Sequence, residues 1–205
     1  MTRRPKRVIV TAAIAAAALT AVAAPASAHP TVRSDAVTAW NASAGKAAIA
    51  ACISPSDDPL HESRLYAMAH VAIHDALNAI DRRSRPYAFT ARAKRGASPD
   101  AAVAAAARDV LVTLLGQLPA PFPQSCIDAG VASIEADYTT ALTAIPDGRP
   151  KTRGLDLGRA AAAAILGLRA ADGSDTPLID DTYPQSTTPG VWRFTPDRPF
   201  AFAPR

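Results

Sequence analysis

No stretch of this sequence alternates apolar and polar residues for long enough to make a convincing strand. That absence excludes a sheet as the main architecture. There are only two cysteines, Cys52 and Cys126, far apart and without metal-type spacing. A thiolate zinc site is therefore excluded. The sequence has no glycine-rich phosphate loop, no Gly-x-Ser-x-Gly elbow and no His-Glu-x-x-His pair. The nucleotide-binding, serine-hydrolase and zincin classes go with them. What is abundant is alanine, a strong helix former that lets helices approach closely.

The first residues read as an export signal. Arg3, Arg4, Lys6 and Arg7 precede an apolar run from Val8 to Ala24. Ala26-Ser27-Ala28 fits a small-x-small cleavage site, so cleavage is expected after Ala28 and the product is expected outside the cell. The run is short for a membrane span, and none is expected after cleavage. The chain of 205 residues holds 22 Lys and Arg against 18 Asp and Glu. Four of those basic residues lie in the signal, so beyond it the signs balance at 18 each. The pI near 9.4 thus belongs to the signal. It does not argue for a nucleic-acid partner, which needs a basic face on the folded domain. In an oxidising compartment Cys52 and Cys126 can pair. Two buried free thiols fit the sequence equally well.

The spacing predicts five helices in an all-α bundle. The first covers 36–53, with Asp35 as N-cap and Val37, Trp40, Ala44, Ala47, Ala48 and Ala51 inward. A Pro-Ser-Asp-Asp-Pro break follows. The second covers 61–81, with Leu65, Met68, Ala69, Ala72, Ile73, Ala76, Leu77 and Ile80 on one arc. Its other side is polar: His70, His74, Asn78 and Asp81. Ser98-Pro99-Asp100 is a strong helix start for a third, ending near Leu118. It is expected to bury Val103, Ala106, Val110, Leu111, Leu114 and Leu115. A fourth spans 124–144 with Ile127, Val131, Ile134, Tyr138, Ala141 and Leu142 as its stripe. A fifth spans about 150–171, with Leu155, Leu157, Ala161, Ala164, Ile165 and Leu168 inward. The resulting division is 1–28 signal, 29–173 helical bundle and 174–205 extended segment. That last segment is rich in proline and carries Trp192, Phe194, Phe200 and Phe202. Such side chains need a covering surface, so the segment is expected to lead into more protein.

Three clusters are candidate sites. His70 and His74, four apart on a helix, share a side and can ligate a transition metal if a carboxylate joins them. Asp75 is turned about 100° from His74, whereas His61 and Glu62 precede the pair. The bland alternative, a polar helix face with hydrogen-bonded imidazoles, is preferred. Asp180-Asp181 in the C-terminal segment is read as a solvated pair, because hard cations want several oxygens. The third cluster is Arg64 and His70, six apart.

Several stretches carry a family resemblance: 37–44 (VTAWNASA), 67–80 (AMAHVAIHDALNAI), 101–115, 145–148 (IPDG), 157–173 (LGRAAAAAILGLRAADG) and 189–193 (PGVWR). In this order and spacing the chain resembles the N-terminal helical half of bacterial secreted vanadium-dependent haloperoxidase-like proteins, relatives of the type-2 phosphatidic acid phosphatases. The resemblance implies that vanadate is the cofactor of full-length relatives. It is bound by lysine, arginine and histidine in a second helical half, where hydrogen peroxide oxidises halide or a phosphate ester is hydrolysed. Arg64 and His70 have the spacing of one motif of that pocket. The companion motifs are missing. Arg85-Pro86, Arg149-Pro150 and Arg198-Pro199 are preceded seven residues earlier by Asn78, Leu142 and Val191, not lysine, and Pro-Ser-Gly-His is absent. His74 stands where an acid is expected. No catalytic, cofactor-binding or metal residue is therefore assigned in this chain. The expected partner is a C-terminal catalytic half beginning near Arg205, and an apolar face left open there favours self-association. The competing expectation is a complete helical binding or structural module.

Overall fold

The computed structural model describes residues 35–54, 58–118, 122–174, 176 and 179–202. The expected signal and its cleavage site lie outside them. Among the described residues there are five helices: α1 (Ala36–Ala50), α2 (Pro59–Ile80), α3 (Pro99–Gly116), α4 (Gln124–Thr143) and α5 (Arg149–Leu168). The all-α reading holds. The one sheet among the described residues is a two-residue antiparallel pair, β1 (Ile179–Asp180) with β2 (Ala201–Phe202). It lies in the segment where no strand is expected. Backbone pairing across that segment does not depend on an alternating pattern.

The helix starts have local causes. Asp35 accepts from the Thr38 amide at 2.8 Å, and Ser98 from the Ala101 amide at 3.3 Å. Each satisfies an N–H that the first turn leaves without a partner. α2 begins two residues earlier than expected, because Asp58 caps it and Pro59 fits its first position. At the far end of α4, Lys151 of α5 donates from Nζ to the Leu142 and Ile145 carbonyls at 2.7 and 3.2 Å. A cation from the next helix thus closes a terminus that lacks its own basic residue.

The core is centred on α3. Residues 101–107 are all buried, as are Val110, Leu111 and Leu115. A helix buried on every side has no polar stripe to keep, and the alanine run supplies none. The expected single face of α3 is thus too narrow. α5 approaches α3 through glycine: a Cβ at Gly158 would sit 2.3 Å from the Ala102 carbonyl oxygen, and one at Gly154 2.4 Å from that of Ser98. The inward face of α5 is accordingly Gly154, Gly158, Ala161, Ala162 and Ile165, while Leu168 is exposed. The expected face is rotated from this one because glycine was not counted as core.

Cys52 and Cys126 form a disulfide with a Cα–Cα distance of 5.7 Å. This closes the alternative left open by the sequence. The bridge ties the turn after α1 to the first turn of α4, and one turn further on Gly130 packs against Ala47 and Ala51.

Candidate functional site

Helix α2 carries most of the candidate side chains, and the structure distributes them among three places. The first is the side facing residues 81–96. Asp75 is 1% exposed. Its carboxylate accepts the Tyr87, Ala88 and Phe89 amides at 2.8, 2.7 and 2.8 Å. One turn on, Asn78 accepts the Arg83 and Ser84 amides, both at 3.0 Å, and donates to the Ser84 carbonyl at 2.9 Å. Two buried polar side chains therefore hold an irregular loop against the helix by satisfying its amides. Sequence reasoning set Asp75 aside and placed Asn78 on a polar face. The overlooked signal was a long non-periodic segment, 82–97, whose backbone donors needed acceptors.

The two histidines part company, and only His74 reaches this loop. His74 Nε2 is 3.3 Å from the Arg85 carbonyl oxygen, and His70 Nε2 is 2.9 Å from Asn41 Oδ1 of α1. Each ring has a protein partner. Among the described residues no group of three or more His, Cys, Asp or Glu is arranged to hold a metal ion.

The second place is a pocket of about 330 Å³ between the start of α2 and the ends of α3 and α5. Leu65, Met68, Leu114, Leu118 and Leu166 line its apolar part, and His61, Arg64, Arg169 and Asp172 its polar part. His61 Nδ1 bonds to the Asp58 carboxylate, which also accepts the His61 amide at 3.0 Å. Asp58 is almost fully buried, so the ring is fixed in orientation and presents its other nitrogen. Arg64 bonds to Asp172 and, through Nη2, to the Arg169 carbonyl at 3.2 Å. Arg169 Nε also reaches Asp172, at 2.9 Å. Burial pushes the Asp172 carboxyl up, but bonds from Arg64 and Ser174 outweigh it and hold the group down at about 2. Both guanidinium groups are thus engaged with one carboxylate.

This settles where the Arg64–His70 pair goes. Six residues of helix turn the side chains about 120° apart and separate them by about 9 Å along the axis. Arg64 faces the end of α5, and His70 faces α1. They do not converge on a common oxyanion position.

The third place is the C-terminal segment. Trp192 packs edge to face on Tyr183 and Phe194, each with centroids 5.6 Å apart. It is still 49% exposed. None of the three rings is buried, so they stack on one another without forming a core. Asp180 accepts the Thr182 amide and hydroxyl at 2.9 and 2.7 Å, so it caps its own turn.

Among the described residues no helix is long and apolar enough to cross a membrane. Comparison with known proteins finds no matching family model, no matching curated protein and no matching solved structure.

Proposed function

We propose that this chain is the N-terminal helical part of a secreted, vanadium-dependent haloperoxidase-like protein. Its role is to scaffold a catalytic half that binds vanadate or phosphate. The carrying observation is that four of the six stretches bearing the resemblance meet in one core. Trp40 comes from the first, Ala72, Ile73 and Ala76 from the second, Ala101 to Ala107 from the third, and Ala161 and Ile165 from the fifth. Two further observations support the reading. Arg64 and His70 are turned apart and each is occupied by a structural partner. The Cys52–Cys126 bridge fits an exported protein.

The test compares the purified chain with a version extended through the downstream coding sequence, both secreted from the same host. The chain alone is expected to show no vanadate-dependent bromination and no phosphate-ester hydrolysis. The extended protein is expected to carry Pro-Ser-Gly-His and to show one of the two activities. Both products should begin at His29. Bromination by the chain alone would overturn the proposal, as would a continuation lacking that motif.

A second reading, a self-sufficient helical module, is favoured by the enclosure of α3, whose residues 101–107 are all buried. A stop codon after Arg205, together with cooperative unfolding of a monomer, would decide for it.

A further inference from the structure

Six of the 22 Lys and Arg of this protein lie on the loop that α2 holds. Residues 82–95 contain six Lys and Arg (Arg82, Arg83, Arg85, Arg92, Lys94 and Arg95) and no acid. All six are exposed. With the signs balanced beyond the expected signal, such a run makes this loop a cationic patch, offset at its start by Asp81, which pairs with Arg83 at 2.6 Å.

The loop backbone is fixed. Besides the bonds to Asp75 and Asn78, the Ala93 amide donates to the Ala79 carbonyl at 2.9 Å, and Arg82 Nη2 to the Ala91 carbonyl at 3.3 Å. Arg153 of α5 donates to the Arg95 carbonyl. Between this loop and α5 lies a recess of about 330 Å³, lined by Arg92, Lys94 and Arg153 and by one acid, Asp156. Asp156 lies 3.9 Å from Arg159, a long pair at the protein surface. Among the described residues Arg92 and Lys94 form no ion pair. Like charges held close on a fixed backbone repel one another, and an oxyanion relieves that repulsion while accepting their N–H groups. The backbone entropy of such a site is already lost on folding.

We propose that the recess bordered by Arg92, Lys94 and Arg153 binds a phosphate-type oxyanion, independently of the catalytic reading above. A free phosphate compound, a phosphate polymer and a phospholipid headgroup share that chemistry. The test uses the disulfide-bonded chain at about 20 mM salt, where surface charges are weakly screened. Its probes are pyrophosphate, inorganic polyphosphate, and phosphatidylglycerol vesicles against phosphatidylcholine vesicles.

Binding of at least one anionic probe is expected. Arg92→Ser/Lys94→Ser should weaken it about tenfold or more without changing the melting temperature. Asp156→Asn should tighten it about threefold by removing the one opposing charge. Arg193→Ser/Arg198→Ser removes the same charge from the C-terminal segment and should have little effect. The probe that binds identifies the source. The proposal is overturned if no anionic probe binds, if the two double variants lose affinity equally, or if Asp156→Asn weakens binding.

Discussion

At the scale of single residues, Asp75 decides more of the local structure than either histidine beside it. Its carboxylate holds three loop amides while itself buried. Charge-assisted bonds of this kind are the strong ones. Removing the acceptor leaves three part-buried N–H groups without their protein partner, with a desolvation penalty for whatever water does not reach. Asp75→Ala is therefore expected to cost about 3 kcal/mol or more. Asp75→Asn keeps an acceptor oxygen and should cost less. Hydrogen exchange of the Tyr87, Ala88 and Phe89 amides reports this directly. They should be protected in the native protein and exchange far faster in Asp75→Ala. Protection unchanged in that variant would show that the loop is held by packing alone. His74→Ala removes one partly exposed contact to the Arg85 carbonyl and should leave the three amides protected.

At the scale of elements, the helices were legible in the sequence and their contact faces only partly so. Asp35 and Ser98 cap where expected, because capping depends on three or four neighbouring residues. The face of α5 was misjudged because its closest contact is made by glycines, which bury no side chain and so carry no hydrophobic signal. The role of Asp75 was missed because its partners lie 12 to 14 residues on, outside any helical repeat. The candidate metal pair was legible as a spacing, but spacing does not show that Asn41 and the Arg85 carbonyl occupy the rings. Gly158→Ala tests the α3–α5 contact. On an isolated helix the change favours helix by about 1 kcal/mol. Here the new methyl would meet the Ala102 carbonyl oxygen at 2.3 Å and Ala105 Cβ at 2.7 Å. Overpacking of this kind costs about 1–3 kcal/mol, enough to reverse the sign. Urea denaturation should show net destabilisation, whereas Gly167→Ala, with nothing within 4 Å, should stabilise. If both variants stabilised, the two helices would have to be less closely packed than described.

At the scale of the whole molecule, the core is made largely of alanine, and each alanine buries little apolar area. Close approach of the helices compensates in packing density, but the margin over conformational entropy stays small in a domain of this size. The Cys52–Cys126 bridge acts on that margin from the other side. It links residues 74 apart in sequence and so restricts a large loop of the unfolded chain. On the chain-entropy account that restriction contributes about 4 kcal/mol. It also secures α1 to α4 where Gly130 brings the two backbones close. Reduction, or Cys52→Ser/Cys126→Ser, is expected to lower the urea midpoint strongly and to steepen the transition, because the unfolded chain loses its cross-link and exposes more surface. The double variant should then be most vulnerable at α1, with the α3–α5 pair opening last. Amide exchange resolved along the chain separates this from a uniform loss. Early opening of α3 would mean that the alanine core, rather than the cross-link, sets the order of unfolding.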